Sequence, residues 1–99
     1  MKKIIIATLS ASALFAASFG AQAAPAKAAT CVGCHGADGN SVVPNFPKLA
    51  GQHANYLEKQ LKDFRDGFRK DATMAAFAKG LTDAEIKELA AFYASQAPK

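Results

Sequence analysis

The sequence predicts an all-α fold, and three observations carry that prediction. Two stretches, one through Leu57, Leu61, Phe64 and Phe68 and one through Ile86, Leu89, Ala90 and Tyr93, repeat apolar residues at helical spacing. No stretch alternates apolar and polar residues as a half-buried strand would. Cys31, Cys34 and His35 are spaced to share one face of a single helical turn. A chain of 99 residues has room for one domain at most.

The N-terminal segment stands apart from that domain. Lys2 and Lys3 precede an uncharged apolar stretch from Ile4 to Gly20, and Ala21-Gln22-Ala23 has the form of a cleavage site. Residues 1–23 therefore read as a secretory signal and residues 24–99 as the mature domain, exported to the periplasm. A retained membrane anchor is the competing reading, since about 17 apolar residues lie at the lower limit for spanning a bilayer. The Ala and Ser content and the small residues before Ala24 favour cleavage.

The mature elements follow in order. Residues 25–35 are Ala-rich and predict a short helix with Pro25 near its first turn and the Cys31 to His35 run at its close. From Gly36 to Gly51 the composition changes to Gly, Asp, Asn, Ser and Pro, which predicts loop. The Leu57 stripe predicts a helix over about 54–66, with Gly67 as a left-handed cap. Residues 71–80 are expected to form a second loop. Thr82-Asp83-Ala84-Glu85 is a capping box for the last helix, which ends near Gln96 before Pro98. The expected architecture is three helices and two long loops.

So small a domain buries too little apolar surface to be stable without a staple, and loops of this length need a function to line. Cys31-Val32-Gly33-Cys34-His35 answers both needs, because C-x-x-C-H is the pattern for covalent attachment of a c-type haem. The two sulfurs of Cys31 and Cys34 can take the porphyrin vinyl groups while the His35 imidazole meets the iron. Other uses of two cysteines fare worse. A bridge across C-x-x-C closes a very short loop and constrains little. A thioredoxin-like site wants strands around it. A structural zinc site wants four ligands, and the chain has Cys31, Cys34, His35 and His53 without a second paired half at zinc-finger spacing.

The sixth iron position separates an electron carrier from a haem that binds ligands. Met74 is the one methionine of the mature segment and falls in the expected 71–80 loop, from which a thioether can reach the haem face opposite His35. The alternative for Met74 is a core-filling side chain. His53 is the rival ligand, and its place at a helix entry among polar neighbours favours a surface role.

Charge excludes a nucleic-acid reading. Without Lys2 and Lys3 the net charge of +4 falls to +2, and Lys59, Lys62, Arg65, Arg69 and Lys70 are interleaved with Glu58, Asp63, Asp66 and Asp71.

On these residues the chain resembles the small soluble class I c-type cytochromes of bacterial respiratory chains. The resemblance rests on C-x-x-C-H near the mature N-terminus, Gly36-Ala37-Asp38-Gly39-Asn40, the run Pro44 to Gln52, Tyr56-Leu57, Gln60-Leu61, Gly67, Arg69, Met74 and Leu81-Thr82-Asp83. It spans nearly all of residues 25–97. It implies a class I cytochrome c-like fold around one covalent haem c, and a monomeric electron carrier rather than an enzyme. It further implies that Pro44 lends its carbonyl to His35, that Phe46 packs on the haem, and that Met74 is the axial sulfur. Partners would be redox proteins such as a terminal oxidase, a cytochrome bc1-type complex or a periplasmic reductase, with no nucleic acid and no lasting membrane insertion. Family members of this kind often carry paired methionines where Met74 stands alone. A haem catalyst or gas sensor with an open distal site, and a cytochrome subunit fixed to a larger oxidoreductase, are the alternatives; the first lacks a distal acid–base pair beyond His53.

Overall fold

The computed structural model describes residues 23–99, so the secretory signal read at 1–23 lies outside the described residues but for Ala23. Among the described residues every regular element is helical and none is a strand: a 3₁₀ turn at Ala26–Thr30, then α1 (Val32–His35), α2 (Ala54–Asp66), α3 (Ala72–Ala78) and α4 (Asp83–Ala94). None of these helices is long and apolar enough to cross a membrane.

The expected helix over 25–35 is split at Cys31. Pro25 stands just outside the 3₁₀ turn and accepts from the Ala28 N–H at 2.9 Å. Cys31 closes that turn by donating to the Ala28 carbonyl at 2.9 Å, and its own carbonyl accepts from the His35 N–H at 2.9 Å to open α1. Gly36 ends α1 at φ 81°, where a side chain would bring a Cβ to 2.8 Å from the Asn40 carbonyl oxygen.

Residues 36–53 form the expected loop. It is tied at the Gly39 carbonyl, which accepts from the N–H groups of Leu49 and Ala50 at 2.8 and 3.1 Å. Gly39 is buried at φ 81°, and a Cβ there would meet Tyr93 Cδ1 at 2.9 Å, so the loop lies directly on α4. The C-terminal tail clasps the same loop: the Asn40 amide donates to the Ala97 carbonyl at 3.0 Å and accepts from the Lys99 N–H at 2.8 Å.

α2 runs over the predicted residues and buries Leu57 and Phe64, with Leu61 half-buried. Gly67 caps it in the left-handed conformation, and the N–H groups of Phe68 and Arg69 both turn back to the Asp63 carbonyl. Phe68, expected on the apolar stripe, is 84% exposed. The helix stops at Asp66, so the stripe ends before its fourth member comes round.

The expected loop at 71–80 is instead a helix. Asp71 caps α3 by accepting from the Met74 N–H at 2.9 Å, and Ala72, Ala75, Ala76 and Ala78 supply helix propensity without a two-sided apolar pattern. Among the described residues there are therefore four α-helices and not three. Thr82 and Glu85 form the predicted reciprocal box, with N–H to side-chain distances of 3.1 and 3.0 Å. α4 buries Ile86, Leu89, Ala90, Phe92 and Tyr93 and packs mainly on α2. Among the described residues, Ile86 and Leu89 are the large side chains buried completely, which leaves the domain short of core.

Candidate functional site

The missing core corresponds to a cleft of about 490 Å³, a volume within the range of small-molecule and cofactor sites. Every element contributes to its wall. The 3₁₀–α1 junction supplies Cys31, Cys34 and His35; the loop supplies Phe46 and Pro47; α2 supplies Tyr56, Leu57 and Phe64; α3 supplies Met74 and Phe77; α4 supplies Leu89 and Tyr93. The two thiols are free and half-buried.

His35 is buried, and its Nδ1 lies 2.9 Å from the Pro47 carbonyl. A carbonyl can only accept, so Nδ1 carries the proton and Nε2 keeps its lone pair for the cleft. Pro44, from which the resemblance takes this carbonyl, is exposed and absent from the cleft wall. The cause is a tight turn in which Phe46 N–H donates to the Val43 carbonyl at 3.0 Å, with Pro44 at its outer corner where the fixed φ of proline suits it. The chain returns toward His35 only three residues later, at Pro47.

Phe46 stands edge-on to the His35 ring, with centroids 6.4 Å apart and an interplanar angle of 63°. Met74 lines the same cleft, half-buried near the start of α3, with its backbone held by the Asp71 cap. His53 is exposed at the N-cap of α2 and takes no part in the wall. The structure thus brings Cys31, Cys34, His35, Phe46 and Met74 together and leaves Pro44 and His53 outside.

Two contributors were not singled out from the sequence. Pro47 was indistinguishable from Pro44 as a source of a carbonyl. Tyr93 reads as an apolar core position, yet its hydroxyl is the one buried side-chain polar atom among the described residues without a hydrogen-bond partner. Burial, with the Cys31 sulfur beside it, pushes this phenol well above its ordinary value. Arg69, also on the lining, lies 4.5 Å above the Phe64 ring and donates to Gln60 Oε1 at 2.7 Å.

This donor set fits a covalently held haem c. It has two thiols one helical turn apart, an imidazole nitrogen with a free lone pair, a thioether lining the same cleft, and mostly apolar and aromatic surroundings.

Comparison with known proteins agrees with the geometry. The Cytochrome c family model matches residues 20–97. The chain is similar to cytochrome c4 of Pseudomonas aeruginosa, 46% identical over 99 residues, covering 97% of this chain and 49% of that protein. It is similar to a thiosulfate dehydrogenase electron acceptor of Thiomonas intermedia, 40% identical over 100 residues, covering 99% of this chain and 46% of that protein. Among solved structures, reduced recombinant cytochrome c4 from Pseudomonas stutzeri superposes with a TM-score of 0.71 at 43% identity, over 74% of this chain and 43% of that one. The chain spans about half the length of these relatives.

Proposed function

The chain belongs to the cytochrome c family, whose cofactor is a covalently bound haem c, and from that premise we propose that it is a periplasmic one-electron carrier with His35 and Met74 as axial ligands. The observation that carries this reading is the common cleft, in which both cysteines, His35 with its tautomer set by Pro47, and Met74 meet. The bound haem supplies an iron that cycles between ferrous and ferric.

The chain's own residues supply the rest. Cys31 and Cys34 tether the cofactor by thioethers, so that it is kept through both oxidation states. The Pro47 carbonyl polarises the Nδ1–H of His35 and raises the basicity of Nε2 toward a metal. Asp71 fixes the first turn of α3 and with it the backbone of Met74. Buried Leu57, Phe64 and Leu89 give the cleft an apolar inner wall, which lowers the solvent reorganisation that accompanies a change of charge.

The export signal read at 1–23 supports the periplasm. Electrons would pass to and from redox proteins such as a terminal oxidase, a cytochrome bc1-type complex or a periplasmic reductase. The name of the Thiomonas relative supports a redox enzyme as donor. The test is spectroscopic: the oxidised protein should show the weak near-infrared sulfur-to-iron band, and the reduced protein should resist carbon monoxide. Rapid carbon monoxide binding without that band would favour an open-site haem catalyst instead.

A further inference from the structure

We propose that in the haem-bearing protein Tyr93 donates its hydroxyl hydrogen to the Cys31 sulfur, making it a positioning residue for that thioether. This inference rests on the haem reading above.

The hydroxyl is buried without a partner, in a residue that lines the cleft. Tyr93 is 3% exposed and its oxygen has no hydrogen-bond partner. The ring is clamped on two sides, by Phe92 edge-on at 5.0 Å and by Gly39, whose close approach leaves no room for a Cβ. Its backbone is held as well, because the Tyr93 carbonyl accepts from the Gly51 N–H at 3.0 Å. A rotation that carried the hydroxyl to solvent would therefore disturb both the loop and α4.

Cys31 is the neighbour that can answer it. Cys31 packs against the core cluster that contains Tyr93, and both residues line the cleft. Its backbone is fixed on both sides, to Ala28 and to His35. In this structure the Cys31 thiol donates toward the Lys27 carbonyl at 3.9 Å and is not bonded to Tyr93. Conversion to a thioether removes the S–H and leaves an acceptor only. Attachment therefore sets the direction of the bond, from Oη to Sγ. A tyrosine with no partner here would be costlier than phenylalanine, since a buried hydroxyl left unpaired forfeits its hydration.

The bond has an electrical consequence. Its dipole puts a positive end at the edge of the cofactor, which favours the reduced state. Tyr93→Phe, in the haem-bearing protein, should have a more negative reduction potential and a lower denaturant midpoint than the parent. In the parent, proton NMR of the ferrous protein should show a slowly exchanging hydroxyl close to the Cys31 β protons. A variant with unchanged potential, or one as stable as the parent or more so, overturns the proposal, because removing an unpaired hydroxyl costs nothing. Intact mass of the same denatured samples counts covalent haem independently. Loss of haem from the parent would strike the electron-carrier reading, whereas an unmoved potential with haem present strikes the Tyr93 bond alone.

Discussion

The Pro47 carbonyl accepts the Nδ1 proton of His35 at 2.9 Å across twelve positions of sequence, while Pro44, three residues nearer, turns away at the corner of a tight turn. The imidazole orientation thus depends on one peptide of a loop. That loop is in turn anchored at Gly39 and by the Asn40 clasp on the tail.

Substitution at the two prolines should separate these roles. Pro47→Gly frees the backbone that aims the carbonyl and should cost about 0.4–1 kcal/mol through the unfolded chain alone, with a shifted potential and altered ferric ligand-field bands. Pro44→Ala should leave those bands unchanged. Redox titration and visible spectroscopy of both variants check this.

Met74→Ala should bind carbon monoxide readily when reduced and should have a lower potential, because a thioether favours ferrous iron relative to water or imidazole. Asp71→Ala removes the cap of α3, a change worth about 0.5–2 kcal/mol. It should speed carbon monoxide binding less than Met74→Ala while keeping the near-infrared band. Stopped-flow mixing measures both.

The double variant Cys31→Ala, Cys34→Ala should lose the fold along with the colour. Few large side chains are fully buried, and the cleft lies between α2, α3 and α4, so the chain without its cofactor lacks a sufficient core. Far-ultraviolet circular dichroism should show a loss of helix and no cooperative melt.

Acid should weaken the fold in a defined window. Hydrogen bonds from Asn40 hold Asp38 down to about 2 from its ordinary 3.8. Arg65 lowers Asp66 and Asp83, and the capping bond from Thr82 lowers Glu85 from 4.5. The unfolded chain binds these protons more tightly, so stability is complete above the ordinary carboxylate values and is lost as pH falls toward about 2. Denaturant midpoints between pH 2 and 6 should rise and then level off. Asp38→Asn should flatten part of that rise.

Much of this was legible in the sequence because it is local. Cys31, Cys34 and His35 declare their chemistry within five residues, α2 and α4 declare themselves by period, and Gly67 and the Thr82–Glu85 box mark where helices end and begin. The sequence hides α3 because an Ala-rich stretch has propensity without an apolar stripe, and Phe68 keeps the period of the α2 stripe yet lies beyond the Gly67 cap, where the chain has already turned away from the core. The joining of distant groups belonged to the tertiary structure alone: Pro47 rather than Pro44 on His35, Met74 lining one cleft with both cysteines, and the Tyr93 hydroxyl buried without a partner in a residue that lines that cleft. Local spacing decides hydrogen bonds a few residues apart, whereas which carbonyl reaches an imidazole twelve residues away depends on how the turn at Val43 and the anchor at Gly39 bend the loop between them.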